Sequence, residues 1–437
     1  MKNNETYIGQ GGITVITEIN PSMDIQELYT LLNQIGDNIN TTPVIDFASI
    51  KGLHFCRWFI IEGLTDVSGH KFPNSLVYAA YYDGTEEEHL TELLDTCMSS
   101  INLIYGYCSR YPTGTSATPK SIIHYFKKHI SKNQLMWPAY RGGTVEQILG
   151  EQKVRDAIQT YLNAQATTGK LTGATPEQLK AGIVNYIQTN PDLNWALKQR
   201  ADPAFSWKFK YYFKLVTKLL LIVLLLPVIL VVFIPIWWLL LSRIFEKRDD
   251  KKRQQIVRTK TITDLLEKED RVFMNQLTIY GSINKPYWYR LTTLKIGLWI
   301  FSLNGTYRSN KGKLSGIETI HFANWSLFNK GRNVMFLSNY DGAWQVYLSE
   351  FIDRSAMAMN LTFGTTANYP KTKRLLWEGA FDEQAFKTVV RNNQYPSQVF
   401  YSTYPYITMK NVLNNSRIRK GLDGSSEESI TDWLKRL

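Results

Sequence analysis

The sequence predicts an α+β protein built from two copies of one β-α-β-β-α-β unit, with a membrane-length apolar segment inserted between them. Three observations predict this fold class. Residues 12–163 and 273–424 contain the same blocks of residues in the same order. Each of these stretches alternates runs of period-two hydrophobicity with runs of helical periodicity. Between them, residues 219–241 contain no charged side chain.

The internal repeat is strongest in its central block. Residues 76–112 align with residues 334–370 without a gap, and 11 of the 37 pairs are identical. An earlier block aligns LHFCRWFI with IHFANWSL, and a later block aligns QLMWPAYRGGTVEQI with QVFYSTYPYITMKNV. Three matching blocks in one order indicate a duplication. The identical pairs of the central block include Tyr82/Tyr340, Asp83/Asp341, Gly84/Gly342, Asn102/Asn360, Gly106/Gly364, Tyr111/Tyr369 and Pro112/Pro370.

The elements of each copy follow from hydrophobic periodicity. In the first copy we expect, in order, a strand at 13–20, a helix at 24–39, strands at 53–63 and 75–82, a helix at 84–106 and a strand at 135–140. Thr144 then caps a final helix. In the second copy the first strand is expected at 275–284, and the helix after it extends to about 303. This order is the ferredoxin-like split β-α-β arrangement.

The uncovered face of each sheet predicts how the copies associate. A unit of this kind carries its helices on one face, so the other face must be covered by another layer. We expect the two sheets to pack against each other as a pseudo-symmetric α/β barrel. The predicted divisions of the chain are a first ferredoxin-like repeat at 12–163, a helical connector at 164–214, a hydrophobic membrane segment at 215–244, a charged helical connector at 245–272, a second ferredoxin-like repeat at 273–424 and a tail at 425–437.

The apolar segment has two interpretations. A straight helix over 219–241 would be about 34 Å long, enough to cross a hydrocarbon core of roughly 30 Å. Pro227 and Pro235 interrupt the run, and both flanks are basic. A hairpin that enters one leaflet and returns explains both features and keeps the two copies on one side, where they can meet. A kinked single span is the alternative, and each copy would then pair across a homodimer.

Composition excludes several classes of protein. With 44% hydrophobic and 20% charged residues the chain is globular rather than disordered. Its three cysteines are too few and too scattered for a disulfide framework or a structural zinc site. The sequence carries no phosphate-binding P-loop, dinucleotide-binding glycine motif, HExxH or GxSxG motif. The net charge of +12 is spread along the chain, which disfavours nucleic-acid binding.

Four repeated polar residues are candidates for catalysis: His54, His321, Asp83 and Asp341. Each aspartate lies between a strand and a helix, where it either caps that helix or acts as an acid or base at a pocket mouth. Each histidine begins a strand, and alternation puts His54 on the face of Cys56, Trp58 and Ile60. The histidines are therefore either packed and hydrogen-bonded or available for proton transfer and ligation. We identify no metal site.

Other candidates stand outside the symmetric set. Arg57 becomes Asn324 in the second copy, and such a break in symmetry can mark a cofactor-binding site. His124 lies on an expected helix without a counterpart. Basic residues flanking the apolar segment are candidates for binding anionic lipid headgroups. They are Lys214, Lys218, Arg243, Lys247 and Arg248.

The tandem H-F-x-x-W, Y-D-G and Y-P blocks resemble those of poorly characterised bacterial repeat proteins. The two-copy pattern is distantly similar to the dimeric α/β-barrel superfamily, which includes dye-decolourising peroxidases. The resemblance implies a haem-like or apolar ligand and a peroxidase-like reaction, with haem as the possible cofactor. In those enzymes a glycine precedes the catalytic aspartate by three residues, whereas Ala80 and Ser338 stand there in this chain.

The sequence leaves two functions open. The first is a membrane-attached protein that binds a small apolar or haem-like molecule, with a peroxidase-like oxidoreductase as its enzymatic form. The alternative is a non-catalytic membrane-surface scaffold or lipid-binding protein. In either case we expect membrane lipids as partners, with both repeats on the cytoplasmic face of the cytoplasmic membrane and an oligomer as a further possibility.

Overall fold

A computed structural model of the chain describes residues 7–41, 44–249, 259–270, 272–305 and 312–437. The protein is a mixed α/β structure with two four-stranded antiparallel sheets and one long apolar helix. Part of the charged connector expected at 245–272, including Lys251, Lys252 and Arg253, lies outside the described residues.

The described elements follow the predicted order, with additional helices before the last strand of each copy. The first copy contains β1 (Gln10–Glu18), α1 (Ile25–Asp37), β2 (Leu53–Ile61), β3 (Ser75–Asp83), α2 (Glu86–Tyr105), α3 (Pro119–His129), β4 (Asn133–Pro138) and α4 (Val145–Thr167). The connector contains α5 (Pro176–Thr189), α6 (Phe205–Val228), a π-helical segment (Ile229–Leu241), α7 (Ser242–Arg248) and α8 (Thr259–Lys268). The second copy contains β5 (Met274–Ser282), α9 (Tyr287–Leu303), β6 (Ile320–Phe328), β7 (Asn333–Asp341), α10 (Trp344–Phe363), β8 (Thr372–Lys373), β9 (Trp377–Glu378), α11 (Glu383–Asn392), β10 (Val399–Ser402) and α12 (Met409–Leu422), and α13 (Ile430–Leu434) lies in the tail.

The two copies exchange their last strands. The first sheet has the order β1-β3-β2-β10, and the second has the order β4-β6-β7-β5. Strand β10 therefore pairs with β2 of the first copy, with Val399 opposite Trp58, and β4 pairs with β6 of the second, with Leu135 opposite Trp325. Since each sheet takes its fourth strand from the other copy, neither sheet is complete within one copy.

The chain before each exchanged strand also joins the two sheets. The Ser131 amide donates to the Thr14 carbonyl of β1 at 2.7 Å, just before the chain enters β4. The Tyr395 amide donates to the Thr278 carbonyl of β5 at 2.9 Å, just before the chain enters β10. Backbone hydrogen bonds therefore connect the sheets at both edges.

Side chains fill the space between the sheets. The Tyr81 and Phe322 rings stack with centroids 4.7 Å apart, and Phe55 lies edge-on to Phe322 at 5.7 Å. Further along, Phe59 of the first sheet shares a buried apolar cluster with Leu337 of the second. The inner faces of the two sheets thus pack against each other in two buried apolar clusters, which exclude water from both faces.

Equivalent residues of the two copies make equivalent contacts. The Tyr111 hydroxyl donates to Asn102 Oδ1 at 2.7 Å, and the Tyr369 hydroxyl donates to Asn360 Oδ1 at 3.0 Å. In each copy an aromatic ring at the end of the third strand also stacks on a ring of the following helix. These stacked pairs are Tyr82 with His89 and Tyr340 with Tyr347. Repeated side-chain geometry of this kind supports the duplication found in the sequence.

The apolar segment is one continuous helix, Phe205–Arg248, rather than the hairpin that the sequence favoured. Its 44 residues correspond to about 66 Å, and by length and composition it could cross a membrane. Pro227 and Pro235 remain inside it, and residues Ile229–Leu241 adopt the wider π form. A local π adjustment can compensate for the hydrogen bond that a proline removes, so the prolines do not force a turn.

This helix contacts the rest of the protein near both of its ends. At the start, the Trp207 ring lies 5.2 Å from the Tyr7 ring. At the end, the Glu246 carboxylate accepts hydrogen bonds from the Thr372 hydroxyl at 2.8 Å and from the Leu375 amide at 2.7 Å. No residue of α6 or of the π-helical segment is buried. The helix therefore presents its apolar surface to the surroundings along most of its length.

Candidate functional site

Two histidine–aspartate pairs lie around a single tyrosine, Tyr404. His54 Nε2 is 2.9 Å from Asp83 Oδ1, and His321 Nε2 is 2.8 Å from Asp341 Oδ1. The structure thus brings together the four residues that the sequence singled out by symmetry. Both histidine side chains are almost fully buried, with 0% and 2% of their surface exposed.

A bulge at the start of β2 places His54 on the inner face of the sheet. Regular alternation predicted that His54 would share a face with Cys56 and Trp58, and this prediction is wrong. The register of β2 against β3 shifts between Leu53 and Phe55, so His54 is the extra residue. Its ring consequently lies 5.1 Å from the Phe322 ring of the other copy.

The second copy repeats the same distortion. The register of β6 against β7 shifts between Ile320 and Phe322, at the position of His321. The His321 ring then lies 5.6 Å from Phe55 of the first copy, in an edge-on contact. The two bulges turn both histidines toward the boundary between the copies.

Asp83 joins a strand to a helix that is distant in sequence. Its second carboxylate oxygen accepts a hydrogen bond from the Val145 amide, the first of α4, at 2.8 Å. The expectation that Asp83 caps the helix that follows it is wrong. That helix, α2, is capped by Thr85 through a reciprocal capping box with Glu88.

Asp341 occupies the equivalent position in the second copy. Its Oδ2 atom accepts a hydrogen bond from the Met409 amide, the first of α12, at 2.6 Å. The following helix, α10, begins after Ala343 without a side-chain cap, so the capping expectation is wrong here as well. Each carboxylate therefore satisfies one free N–H at a helix start and complements the positive end of the helix dipole.

Tyr404 breaks the symmetry of the two pairs. Its hydroxyl is 2.8 Å from His54 Nδ1, and its ring centroid is 5.9 Å from that of His321. Burial raises the pKa of the Tyr404 hydroxyl well above its usual value, and the charges of Asp83 and Asp341 act in the same direction. The Tyr404 hydroxyl therefore remains protonated at neutral pH.

Protein groups occupy both ring nitrogens of His54. A carboxylate can only accept, so Nε2 donates to Asp83, and in the neutral ring Nδ1 accepts from the Tyr404 hydroxyl. Both ring nitrogens are thus occupied by protein groups inside a core. The arrangement fixes the start of β2, the end of β3 and the start of α4 relative to one another. The catalytic role suggested for the histidines and aspartates stays a prediction.

Arg57 lies inside the protein and is bound entirely by neutral groups. Its guanidinium donates to Gln276 Oε1 at 2.9 Å, to the Leu277 carbonyl at 3.0 Å, to Thr278 Oγ1 at 2.9 Å and to the Ser338 carbonyl at 3.0 Å. Burial lowers the pKa of Arg57 to about 10, so the side chain still carries its charge at neutral pH. Arg57 therefore ties the two sheets together.

The remaining candidates lie on the surface. His124 is exposed on the outside of α3. Of the five basic residues proposed to bind lipid, four are exposed on the apolar helix, and Lys218 is half-buried. Lys214 and Lys218 precede the charge-free stretch, and Arg243, Lys247 and Arg248 follow it.

These residues do not fit a haem. Both nitrogens of His54 are hydrogen-bonded, His321 is almost fully buried in the core, and the donors of Arg57 face protein acceptors. The two cavities near 900 Å³ are lined by other residues, and neither of them includes His124. Among the described residues, no group of three or more His, Cys, Asp or Glu could hold a metal ion. We derive no step through a haem.

Sequence reasoning missed Tyr404 and the two helix starts at Val145 and Met409. Tyr404 is the partner of Tyr140 in the aligned third block, so the repeat contained a signal for it. Comparison with known proteins adds no further information, since no family model, curated protein or solved structure matches the chain.

Proposed function

We propose that the protein is a non-catalytic membrane-surface scaffold or lipid-binding protein, held at the bilayer by the helix Phe205–Arg248. The observation that carries the proposal is the exposure of this helix. Its most apolar 18-residue window has a mean hydropathy of 3.4, and none of that window is buried. In water such a surface is strongly unfavourable, whereas a lipid environment accommodates it.

Tryptophans where the helix meets the second copy support the proposal. The Trp237 indole donates to Thr293 Oγ1 at 3.1 Å and lies edge-on to Trp288. The Trp238 indole donates to the Arg374 carbonyl at 2.7 Å and stacks with Trp377. Trp288 and Trp377 are respectively 55% and 41% exposed. Tryptophan favours the level of lipid headgroups, so this group is suited to lie at that depth.

Exposed basic side chains at both ends of the charge-free stretch also support attachment to a membrane. Lys214 is exposed on one side of the charge-free stretch, and Arg243, Lys247 and Arg248 are exposed on the other. Each basic side chain near an anionic surface contributes about 1 kcal/mol to binding. Since the two copies exchange strands within one chain, we propose that both lie on one face of the membrane.

We also propose that the two copies are ferredoxin-like repeats that form a pseudo-symmetric α/β barrel. The exchanged strands β4 and β10 support this fold, as do the backbone hydrogen bonds at Ser131 and Tyr395.

Flotation of the purified full chain with liposomes tests the proposal. The wild-type protein should float with vesicles, and more strongly with vesicles that contain anionic lipid. The double variant Leu224→Glu/Val231→Glu should stay at the bottom of the gradient. Both side chains are more than 70% exposed, so their replacement should leave the repeats folded.

The control is Val346→Glu, which places a charge on an exposed apolar position of α10. Val346 is 60% exposed and distant from the apolar helix in sequence. This variant should float like the wild type. Flotation of the Leu224→Glu/Val231→Glu variant at the wild-type level would overturn the proposal, as would a wild-type protein that never floats.

A further inference from the structure

A cavity of about 920 Å³ lies where the two copies and the start of the apolar helix meet. It lies beside α4 and α12, and its wall includes Pro203, two residues before α6 begins. Its basic lining residues are Arg141, Arg200, Arg417, Arg419 and Lys420, and its acidic ones are Glu151, Asp202 and Asp423.

The charge of the lining favours an anion. Five basic side chains face three acidic ones. The Asp202 carboxylate is already paired with the Lys208 ammonium at 2.9 Å, which reduces its effect on the cavity. Arginine and lysine together are the residues that proteins use to bind phosphate.

The lining contains buried polar atoms for which the described residues provide no hydrogen-bond partner. They include Arg141 Nε, a donor, and Glu151 Oε2, an acceptor. Glu151 is 98% buried, and its other oxygen accepts from Gln147 Nε2 at 2.7 Å and lies 3.6 Å from Arg419 Nη1. A buried polar atom without a partner is costly, and a bound ligand would supply the missing bonds.

The cavity coincides with a break in the symmetry of the copies. Tyr404 points to His54, whereas its counterpart Tyr140 turns away from the histidine pairs. The Tyr140 hydroxyl instead donates to Ser416 Oγ at 2.8 Å and accepts from Arg200 at 3.2 Å. The buried carboxylate of Glu151 likewise has Asn415 as its counterpart in the second copy. The chain thus builds this lining on one side only.

We propose that this cavity binds a phosphate ester that also carries an amine or hydroxyl donor. The phosphate would contact the arginine and lysine side chains, and the donor would bond to Glu151 Oε2. A soluble phosphate ester and the headgroup of a phospholipid share this chemistry. The position beside the apolar helix makes the cavity reachable from a membrane surface, but the site does not depend on membrane attachment.

Binding to the full chain in detergent tests the proposal. The soluble probes are phosphoethanolamine and glycerol 3-phosphate, measured by calorimetry. The lipid arm uses nanodiscs of phosphatidylethanolamine and phosphatidylglycerol, followed by native mass spectrometry of the extracted protein. Saturable binding of a soluble ester identifies a free ligand, and a retained phospholipid identifies a headgroup. Either result supports the proposal if the binding weakens when residues lining the cavity are replaced.

The variant Arg417→Gln/Lys420→Gln establishes that dependence. Both residues are exposed, so their replacement should leave the fold intact. We expect at least a tenfold loss of affinity for the soluble ester, or loss of the retained lipid. The control is Lys153→Gln, the position equivalent to Arg417 in the first copy, which should bind like the wild type. No saturable binding of any probe at millimolar concentration would overturn the proposal, as would a double variant that binds like the wild type.

Discussion

Removal of the Asp83 carboxylate tests whether the histidine–aspartate pairs are structural. This carboxylate bonds to His54 Nε2 and to the Val145 amide, and only 12% of the side chain is exposed. A hydrogen bond to a charged group contributes about 1.5 kcal/mol or more. Loss of both bonds in Asp83→Ala should therefore lower the free energy of unfolding by about 3 kcal/mol.

The assay is denaturant unfolding of the full chain in detergent, followed by tryptophan fluorescence. Asp341→Ala should show a loss of similar size, because Asp341 makes the equivalent two bonds to His321 and Met409. The matched control is Asp95→Ala, since Asp95 is an exposed aspartate that the repeat also preserves. A surface change of this kind should alter stability by less than about 0.5 kcal/mol. An Asp83→Ala protein as stable as the Asp95→Ala control would refute the structural interpretation.

Three further predictions concern burial and the exchange of strands. Burial lowers the pKa of His89 from 6.5 to about 3. Unfolding therefore takes up a proton at this side chain below pH 6.5. The free energy of unfolding should fall by about 1.4 kcal/mol per pH unit between pH 6.5 and pH 3. His89→Phe should remove this contribution to the pH dependence of the free energy of unfolding. Stability–pH curves with the same slope for variant and wild type would contradict the prediction. Arg57→Asn, which installs the residue of the second copy, should cost about 2–4 kcal/mol in denaturant unfolding because buried acceptors lose their donor; an unchanged midpoint would contradict this. Fragments 1–249 and 250–437 should be unfolded when expressed separately and should form a folded complex when co-expressed, as judged by co-purification in detergent, and two independently folded fragments would show that the exchange is dispensable.

Local patterns predicted the elements well because most of them depend on neighbouring residues. The helix at 176–189 begins after Thr175 with Pro176 in its first turn, and both signals are local. The strand exchange was not predictable in this way. The alternation of β10 is the same whichever strand it pairs with, so the pairing with β2 depends on contacts between distant parts of the chain.

In the candidate site, too, the sequence indicated which residues matter but not the contacts that they make with distant parts of the chain. The repeat identified His54 and Asp83 because each has an identical counterpart. The bulge that turns His54 inward adds one residue to one strand, and hydrophobic alternation does not reveal it. The helix whose first amide donates to Asp83 starts 62 residues later in the chain, so a search for caps beside each helix could not find this contact.

The exchange of strands has a consequence for biosynthesis. The chain leaves the ribosome from its N-terminus, so β2 is made more than 300 residues before its partner β10. Until then the first sheet has an unpaired edge, which is a site for wrong pairing with other chains. The apolar helix emerges during this interval, and its early capture by a bilayer would hold the nascent first half in place until the second half arrives.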